Sequence, residues 1–475
     1  MLKKDTLRYL PSTIIPVILG LIVVPIYTNI FSPEQYGNYA LFLTIYSVIQ
    51  SLSSSWIGSS IIRFNEKFTK ENKFESFFST TTIISGLICL TLSTLFLFLV
   101  LIFQVKPQIF LILIAWLPLF AILSTQLEIN LQFFRARRQI KLYNTFFILK
   151  SVIAPFLILV FYKFFKNEIS FIIGTIVANL VALIFIFRNN IDTKNFKIKF
   201  YDKKIMKRIF LFGIPLAPTF FASKSVELTE RAFITYFEGS DQLGIYAAAQ
   251  IFSKNPINLI IAIITISSAP IIVKIWENEE KNRLEFFLNN LLKNYIIIGI
   301  PISIILFSYS KEILNIFVES KYINGYVVMP YIYLGGFVLG LQWISQRPLI
   351  LAEKTNTILI GFILSLLSTI FLGYLLVQEF GILGIAISNI ISAFFVFIFI
   401  HYKSSNYLKI SLKFENIIKI GLSSIAMVVI NFLIIKFSGF TNFLLLIIGS
   451  ILSTTIYFLI LEFFNEINIK KLITN

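Results

Sequence analysis

Runs of about twenty apolar residues, each long enough to cross a bilayer as a helix, follow one another along the whole chain with short polar stretches between them. They fall near 9–30, 39–62, 78–103, 109–134, 145–162, 168–187, 209–237, 243–273, 294–310, 326–351, 356–377, 382–400, 417–435 and 441–461. The pattern predicts about fourteen transmembrane helices, with polar interruptions in 209–237 and 326–351. Strands of a membrane barrel would instead alternate over about ten residues. Residues 276–293, WENEEKNRLEFFLNNLLK, carry Leu284, Phe287, Leu288 and Leu291 at helical spacing among charges. That predicts a short helix in the inner interface with Trp276 as its anchor. The fold class is an all-α polytopic membrane protein.

Composition agrees with this reading. The chain is 57% hydrophobic and 14% charged over 475 residues, whereas a soluble domain carries about a quarter charged residues. Its mean hydropathy is +0.84. MLKKDTLRYLP before the first apolar run resembles the start of a signal peptide, but no small-residue cleavage site follows, so the run reads as an uncleaved first span. Cys89 is the only cysteine and His401 the only histidine. Disulfides, cysteine or histidine metal sites and a His-based catalytic relay are therefore not expected. No cofactor is expected, and hydrolytic or redox chemistry has no candidate residues.

The net charge of +17 acquires its meaning from placement. With the N-terminus in the cytoplasm, the inside segments include RFNEKFTKENKFES, RARRQIK, RNNIDTKNFKIKFYDKKIMKR and HYKSSNYLKISLKFENIIK. Thirty Lys and Arg fall inside and six outside, with five more within spans. That bias has the sign of the positive-inside rule and puts both termini in the cytoplasm. The charge thus reports topology, and nucleic acid is not an expected partner. The basic stretch 188–208 reads either as a topological signal joining two halves or as a site of attraction to anionic lipid heads.

Two local patterns recur at nearly one offset. GNYA at 37–40 matches GIYA at 244–247, and IGTIVANLVALIFIF resembles LGIAISNIISAFFVFIF, with Gly174 and Asn179 answering Gly384 and Asn389. The expected organisation is a six-helix lobe over 1–187, a basic cytoplasmic linker over 188–208, a second six-helix lobe over 209–402, and two added helices with a tail over 403–475. Six is even, so the lobes form a parallel repeat, the arrangement in which transporters bind substrate between lobes and alternate access.

Charges within spans are costly, about 2.5–3.5 kcal/mol at mid-bilayer on insertion scales, and so mark candidate sites. Lys150 is close enough to the inner end of its span to snorkel. Glu128, in line with Gln132 and Arg135, and Arg347 read as cavity rim. Lys224 and Lys254 lie deeper. At about 100° per residue Lys224, Glu227 and Arg231 share one face, with Glu230 beside them, and Lys254 sits on a stripe with Gln250 and Asn258. Two readings fit. In one, Glu227 pairs with Lys224 and Arg231 as interhelical glue. In the other, surplus positive charge receives an anionic head group, Arg through its planar fork and Lys as a point charge, while Glu227 or Glu230 loads a coupling cation.

The segment GIPLAPTFFASKSVELTERAFITYFEGSDQLGIYAAAQIFSK resembles the central part of bacterial polysaccharide flippases of the O-antigen type, within the multidrug/oligosaccharidyl-lipid/polysaccharide exporter superfamily. Gly213–Leu216, Glu230–Arg231 and Gly244–Ala247 carry the likeness, and FSPEQYGNYALF and SSIIRFNE, with Arg63, are similar to the family's opening. The family usually has Asp where Glu230 stands. The resemblance implies movement of an undecaprenyl-diphosphate-linked oligosaccharide from the inner to the outer leaflet of the bacterial cytoplasmic membrane, driven by a proton or sodium gradient. It also implies contacts with membrane lipids and with polysaccharide polymerase and assembly machinery. On this reading Lys224, Arg231, Lys254, Arg347, Arg63 and Gln250 line the diphosphate and sugar cavity, and Glu227, Glu230 and Glu128 couple ions or pair charges. A multidrug or toxin cation antiporter, favouring acidic cavity residues, and a lipid II flippase are the alternatives. A membrane glycosyltransferase ranks lower because the outer loops are short, and no G-x-x-x-x-G-K-[ST] loop exists for ATP coupling.

Overall fold

The structure, a computed structural model, describes residues 10–102, 114–189, 196–278, 280–437 and 441–466. The basic residues before Leu10, the start of the fourth predicted span, the middle of the linker and the C-terminal tail lie outside these. The described residues are helical almost throughout. The long helices are α1 (Leu10–Ile30), α2 (Pro33–Gln50), α3 (Trp56–Lys70), α4 (Phe74–Ile102), α5 (Leu117–Ala136), α6 (Ile140–Phe165) and α7 (Ile169–Asn189). After the linker come α8 (Lys203–Gly213), α9 (Ala217–Glu238), α10 (Ser240–Glu277), α11 (Lys281–Phe317), α12 (Met329–Ser345), α13 (Arg347–Leu351), α14 (Thr355–Ser404), α15 (Phe414–Phe437) and α16 (Asn442–Phe463).

Ten helical stretches are long and apolar enough to cross a membrane, and an eleventh is a pair bent by 52°, residues 320–327 and 329–351. One of the ten supplies two crossings. At 50 residues α14 would run about 75 Å, far beyond a hydrocarbon core of about 30 Å. It breaks at Gly381, whose φ of 56° and ψ of −136° are open to glycine alone. Gly361 then faces Val396 and Ile400, so the two halves form a hairpin. With α1 and the 20-residue α5 added, the described residues reach the predicted number of crossings. The second span joins α2 to α3 through a π-helical turn, Ser51–Ser55.

The helices start where local chemistry satisfies their free amides. Ser32 caps α2 in a reciprocal box with Gln35, ahead of Pro33 at the first turn. Asp202 caps α8 through the amides of Lys204 (2.7 Å) and Ile205 (3.3 Å). The predicted interfacial helix is not a separate element. Residues 281–293 are the first turns of α11, and Leu284 and Leu288 are buried while Phe286 is exposed. α11 is kinked at Tyr309, and its residues up to there span about 43 Å, longer than a hydrocarbon core of about 30 Å. Segment 405–413 lies along the first turns, its Lys409 and Ser411 amides donating to Glu285 and Asn289.

The chain divides into two compact units, of which the described parts are residues 10–23 with 31–244, and residues 24–30 with 245–466. The first unit continues past the basic linker and includes α8 and α9, which the repeat counts with the second lobe. In this unit, Phe42, Ile45, Phe120, Ala121 and Ile172 form one apolar core, against which Leu228 of α9 packs. In the second unit, α15 and α16 are bolted to α11. Tyr309 Oη donates to Asn431 Oδ1 (2.9 Å), Asn431 Nδ2 donates to Ser308 (3.2 Å), and Tyr457 Oη donates to the Ile297 carbonyl (3.2 Å).

The repeat is visible as equivalent contacts inside each unit. Gly174 of α7 lies against the Ile158 backbone of α6, as Gly384 lies against the Leu376 carbonyl across the α14 hairpin. Asn179 donates to Ser124 of α5 (2.8 Å), and Asn389 lies over Gly335 of α12. The paired GNYA and GIYA motifs also meet. A side chain at Gly37 would collide with the Ser240 carbonyl, and one at Gly244 with the Pro33 carbonyl. Both glycines are therefore required by backbone-to-backbone approach.

Candidate functional site

In the first unit, Arg231 is committed to protein partners. Its Nη1 donates to the Ala40 carbonyl of α2 (2.7 Å) and its Nη2 to Glu227 Oε1 (2.8 Å). One turn of α9 separates the pair, the spacing expected for an ion pair. The side chains are 12% and 29% exposed. Glu230 is buried beside them at 1%. Lys224 is exposed and, among the described residues, makes no ion pair within 4.0 Å, so the expected Lys224–Glu227 bridge is not formed. Glu227 is thus paired with Arg231 within α9, and Lys224 is the cation of this stretch without an ion pair among the described residues.

Glu128 accepts from Gln132 (2.6 Å) and is half-buried in α5. Arg63 is exposed on α3. Sequence reasoning passed over a buried pair at the opposite end of this unit from the linker: Asn38 Nδ2 donates to Glu168 Oε1 (3.1 Å), both within 3% of full burial. Tyr39 stacks on Phe171 beside them at 4.1 Å. An acid at a loop-to-helix junction was the available signal, and its partner lies 130 residues away.

In the second unit, Gln250 is buried, Lys254 half-buried and Asn258 exposed, so the stripe on α10 runs from core to surface. Arg347 sits at the start of α13 with its guanidinium 3.4 Å over the Trp343 ring. Stacking of this kind fixes the planar fork. Its Nε is buried without a hydrogen bond, as are the amide oxygens of Gln342 and Gln346. No carboxylate pairs with Lys254 or Arg347 among the described residues. Ser345 meets His401 Nδ1 at 3.3 Å on the neighbouring face. Lys254 and Arg347 are thus cations without a carboxylate among the described residues, and Arg347 has the unpartnered amide oxygens of Gln342 and Gln346 beside it in the chain. That arrangement suits an anion bearing hydroxyl groups. Trp343, four residues before Arg347, was legible in sequence but not singled out.

Two open cavities lie elsewhere. One of about 610 Å³ is lined by Pro11, Arg138, Gln139, Lys141 and Asn144, and one of about 590 Å³ by Trp276, Glu277, Glu280 and Lys281. Neither includes a residue of the charged clusters.

Comparison with known proteins places this geometry. The family model described as "Polysaccharide biosynthesis protein" matches residues 2–276. An uncharacterized membrane protein of Methanocaldococcus jannaschii is 22% identical over 206 residues, 42% of this chain, and the chain spans 39% of that relative's length. Among solved structures, the lipid II flippase MurJ in an inward closed conformation superposes with a TM-score of 0.75 at 18% identity, covering 96% of this chain and 98% of that one. An inward-facing multidrug resistance MATE family transporter of the MOP superfamily gives 0.67 at 14% identity, covering 84% and 98%. A MOP superfamily transporter from Pyrococcus furiosus, described by a binding pocket of reverse polarity suggesting a different function, gives 0.62 at 14% identity, covering 86% and 96%. The fold is that of these membrane transporters and flippases.

Proposed function

The chain belongs to the polysaccharide biosynthesis protein family, and from that premise we propose that it flips an undecaprenyl-diphosphate-linked oligosaccharide from the cytoplasmic to the outer leaflet of a bacterial cytoplasmic membrane, with both termini in the cytoplasm. The observation that carries this reading is that Lys254 and Arg347, two cations of span segments in the second unit, have no carboxylate partner among the described residues. A charge left in a span without compensation is a functional group by default. Arg347, held flat on Trp343 with Gln342 and Gln346 beside it, offers a fork for phosphate oxygens and amides for sugar hydroxyls. A pocket for cationic drugs would require the opposite sign, and the Pyrococcus furiosus protein is described as a MOP transporter of reversed pocket polarity. Movement is by alternating access, with a proton or sodium gradient as the energy source. Glu230 and Glu128 are the candidates to carry the coupling ion, and Glu227 is held by Arg231.

Lipid II is the second substrate reading, favoured by the fold match to MurJ over 96% of the chain. The two share the diphosphate and differ in the glycan. Deleting the gene and extracting lipid-linked sugars separates them. The expected result is accumulation of a cytoplasm-facing undecaprenyl-diphosphate glycan, reversed by wild type but not by Lys254→Ala or Arg347→Ala. Accumulation of lipid II alone moves the assignment to the second reading. Normal glycan export with lost drug resistance overturns both.

A further inference from the structure

The described end of the basic linker, residues 196–208, is anchored to the helices. The Lys197 amide donates to Ser79 (3.4 Å) and the Asp202 amide to Thr80 (3.0 Å), both buried hydroxyls at the start of α4. α8 then lies on α3 and α4 through Ile205 and Ile209. Phe210 meets Trp56 edge-on at 5.2 Å, and Gly213 is so close to the Trp56 ring that no Cβ would fit. The remaining face of this strap is basic. Lys197, Lys199, Lys203, Lys204, Lys207 and Arg208 stand along twelve residues, and the one acid among them, Asp202, is occupied in capping α8.

Beside this basic face runs an apolar groove of about 480 Å³. It is lined by Ile83, Leu87 and Ile88 of α4 and by Ile198, Met206 and Phe210 of the strap. Leu87 is 58% and Ile198 76% exposed, so the groove is open on its outer side. On α8 Lys203 and Lys207 each precede a groove residue, Met206 and Phe210, by three positions, which puts cations on the turn next to the groove's wall. An open apolar channel ending at a row of lysines has the chemistry of one amphiphile, an acyl chain with an anionic head.

We propose that this groove and strap form a binding site for an anionic phospholipid of the surrounding membrane, with an acyl chain along Leu87 and Ile198 and its head group on Lys199, Lys203 and Lys207. The site includes neither Lys254 nor Arg347 and does not depend on what the protein transports. Its consequence is mechanical. α8 leads through one turn, residues 214–216, into α9, which carries Lys224, Glu227, Glu230 and Arg231. A bound lipid therefore clamps the base of the charged helix.

Native mass spectrometry of the purified full-length chain, titrated with phosphatidylglycerol or with phosphatidylcholine of the same chains, tests the site. Each basic residue at an anionic surface is worth roughly fivefold in affinity at low salt. The variant Lys199→Gln/Lys203→Gln/Lys207→Gln should therefore lose phosphatidylglycerol affinity by about tenfold or more while leaving phosphatidylcholine unchanged. Leu87→Trp, at a position 58% exposed, should fill the groove and weaken both lipids. Equal affinity for the two lipids in the wild type, or triple-Gln and Leu87→Trp variants that fold and bind like wild type, overturns the proposal and leaves the lysines as a topological signal only.

Discussion

Replacing Arg231 by Met decides whether the charges of α9 hold helices together or wall a binding site. The side chain has two anchors, the Ala40 carbonyl at 2.7 Å and Glu227 at 2.8 Å. A hydrogen bond from a charged donor is worth about 1.5–3 kcal/mol. The Ala40 carbonyl keeps the Thr44 hydroxyl at 2.9 Å, so its loss belongs near 1.5 kcal/mol on that scale. An exposed pair four residues apart contributes about 0.3–0.5 kcal/mol, and partial shielding from water raises this to about 1 kcal/mol. Interhelical hydrogen bonds in bilayers average about 0.6 kcal/mol and reach about 1.7 kcal/mol, which caps the two anchors together at about 2–3 kcal/mol. Arg231→Met should therefore destabilise the protein by about 2–3 kcal/mol. Glu227→Gln should cost about 1 kcal/mol, and the double variant no more than Arg231→Met alone. Reversible unfolding in mixed detergent micelles measures all three. A stability within about 0.5 kcal/mol of wild type for Arg231→Met, with no coupling to Glu227, refutes the structural role. Loss of export in that folded variant would then mark Arg231 as a ligand contact.

Two further outcomes follow from the packing and the charges. Gly37→Ala and Gly244→Ala each drive a methyl group into a backbone carbonyl, which cannot rotate away. Each should lower stability by about 1–3 kcal/mol, whereas Gly421→Ala, with nothing within 4 Å, should be neutral or stabilising; thermal unfolding of the three variants checks this. Glu466, just beyond α16, bridges Lys293 of α11 and Lys419 of α15, the latter at 3.0 Å. Burial pushes its carboxyl up, but hydrogen bonds and charge from the two lysines together hold it below the usual carboxylate range. A folded value below the unfolded one gives stability that is present above the unfolded value, about 4.3, and is lost as pH falls through the folded value. Unfolding midpoints between about pH 7 and about pH 3 should show this acid loss in wild type and a flatter profile in Glu466→Gln. An identical slope in both would exclude Glu466 as its source.

Much of the fold was legible because bilayer crossing needs only a local property, a run of apolar residues. The ends of α4, α6, α15 and α16 fall within a few residues of the hydropathy edges. Where the reading departed from the structure, the deciding interaction was distant or steric. The amphipathic pattern of 281–293 fits an interfacial helix equally well, and only its continuity with α11 and its contacts with segment 405–413 decide otherwise. On α9, the spacing allows Glu227 to pair with Lys224 or with Arg231. The choice depends on the Ala40 carbonyl, 191 residues away, which fixes the guanidinium. The recurring glycines were visible as a repeat, but their reason, backbone meeting backbone at Pro33 and Ser240, appears only in three dimensions.

The path of the chain between its two units has a consequence for movement. It passes from the first to the second at Val23–Val24, returns at Ile30–Phe31, and passes over again at Gly244–Ile245. The first and the last of these lie inside continuous helices, α1 and α10, and only the return at Ile30–Phe31 falls in a connection. Loops hinge at little energetic cost, whereas a helix stores bending and torsion in its hydrogen-bond ladder and returns them. Displacement of one unit would therefore load two helical springs, and the barrier to reorientation would be tuned by the stiffness of α1 and α10. A glycine or proline introduced near either crossover should alter the rate of the transport cycle without touching a single ligand contact.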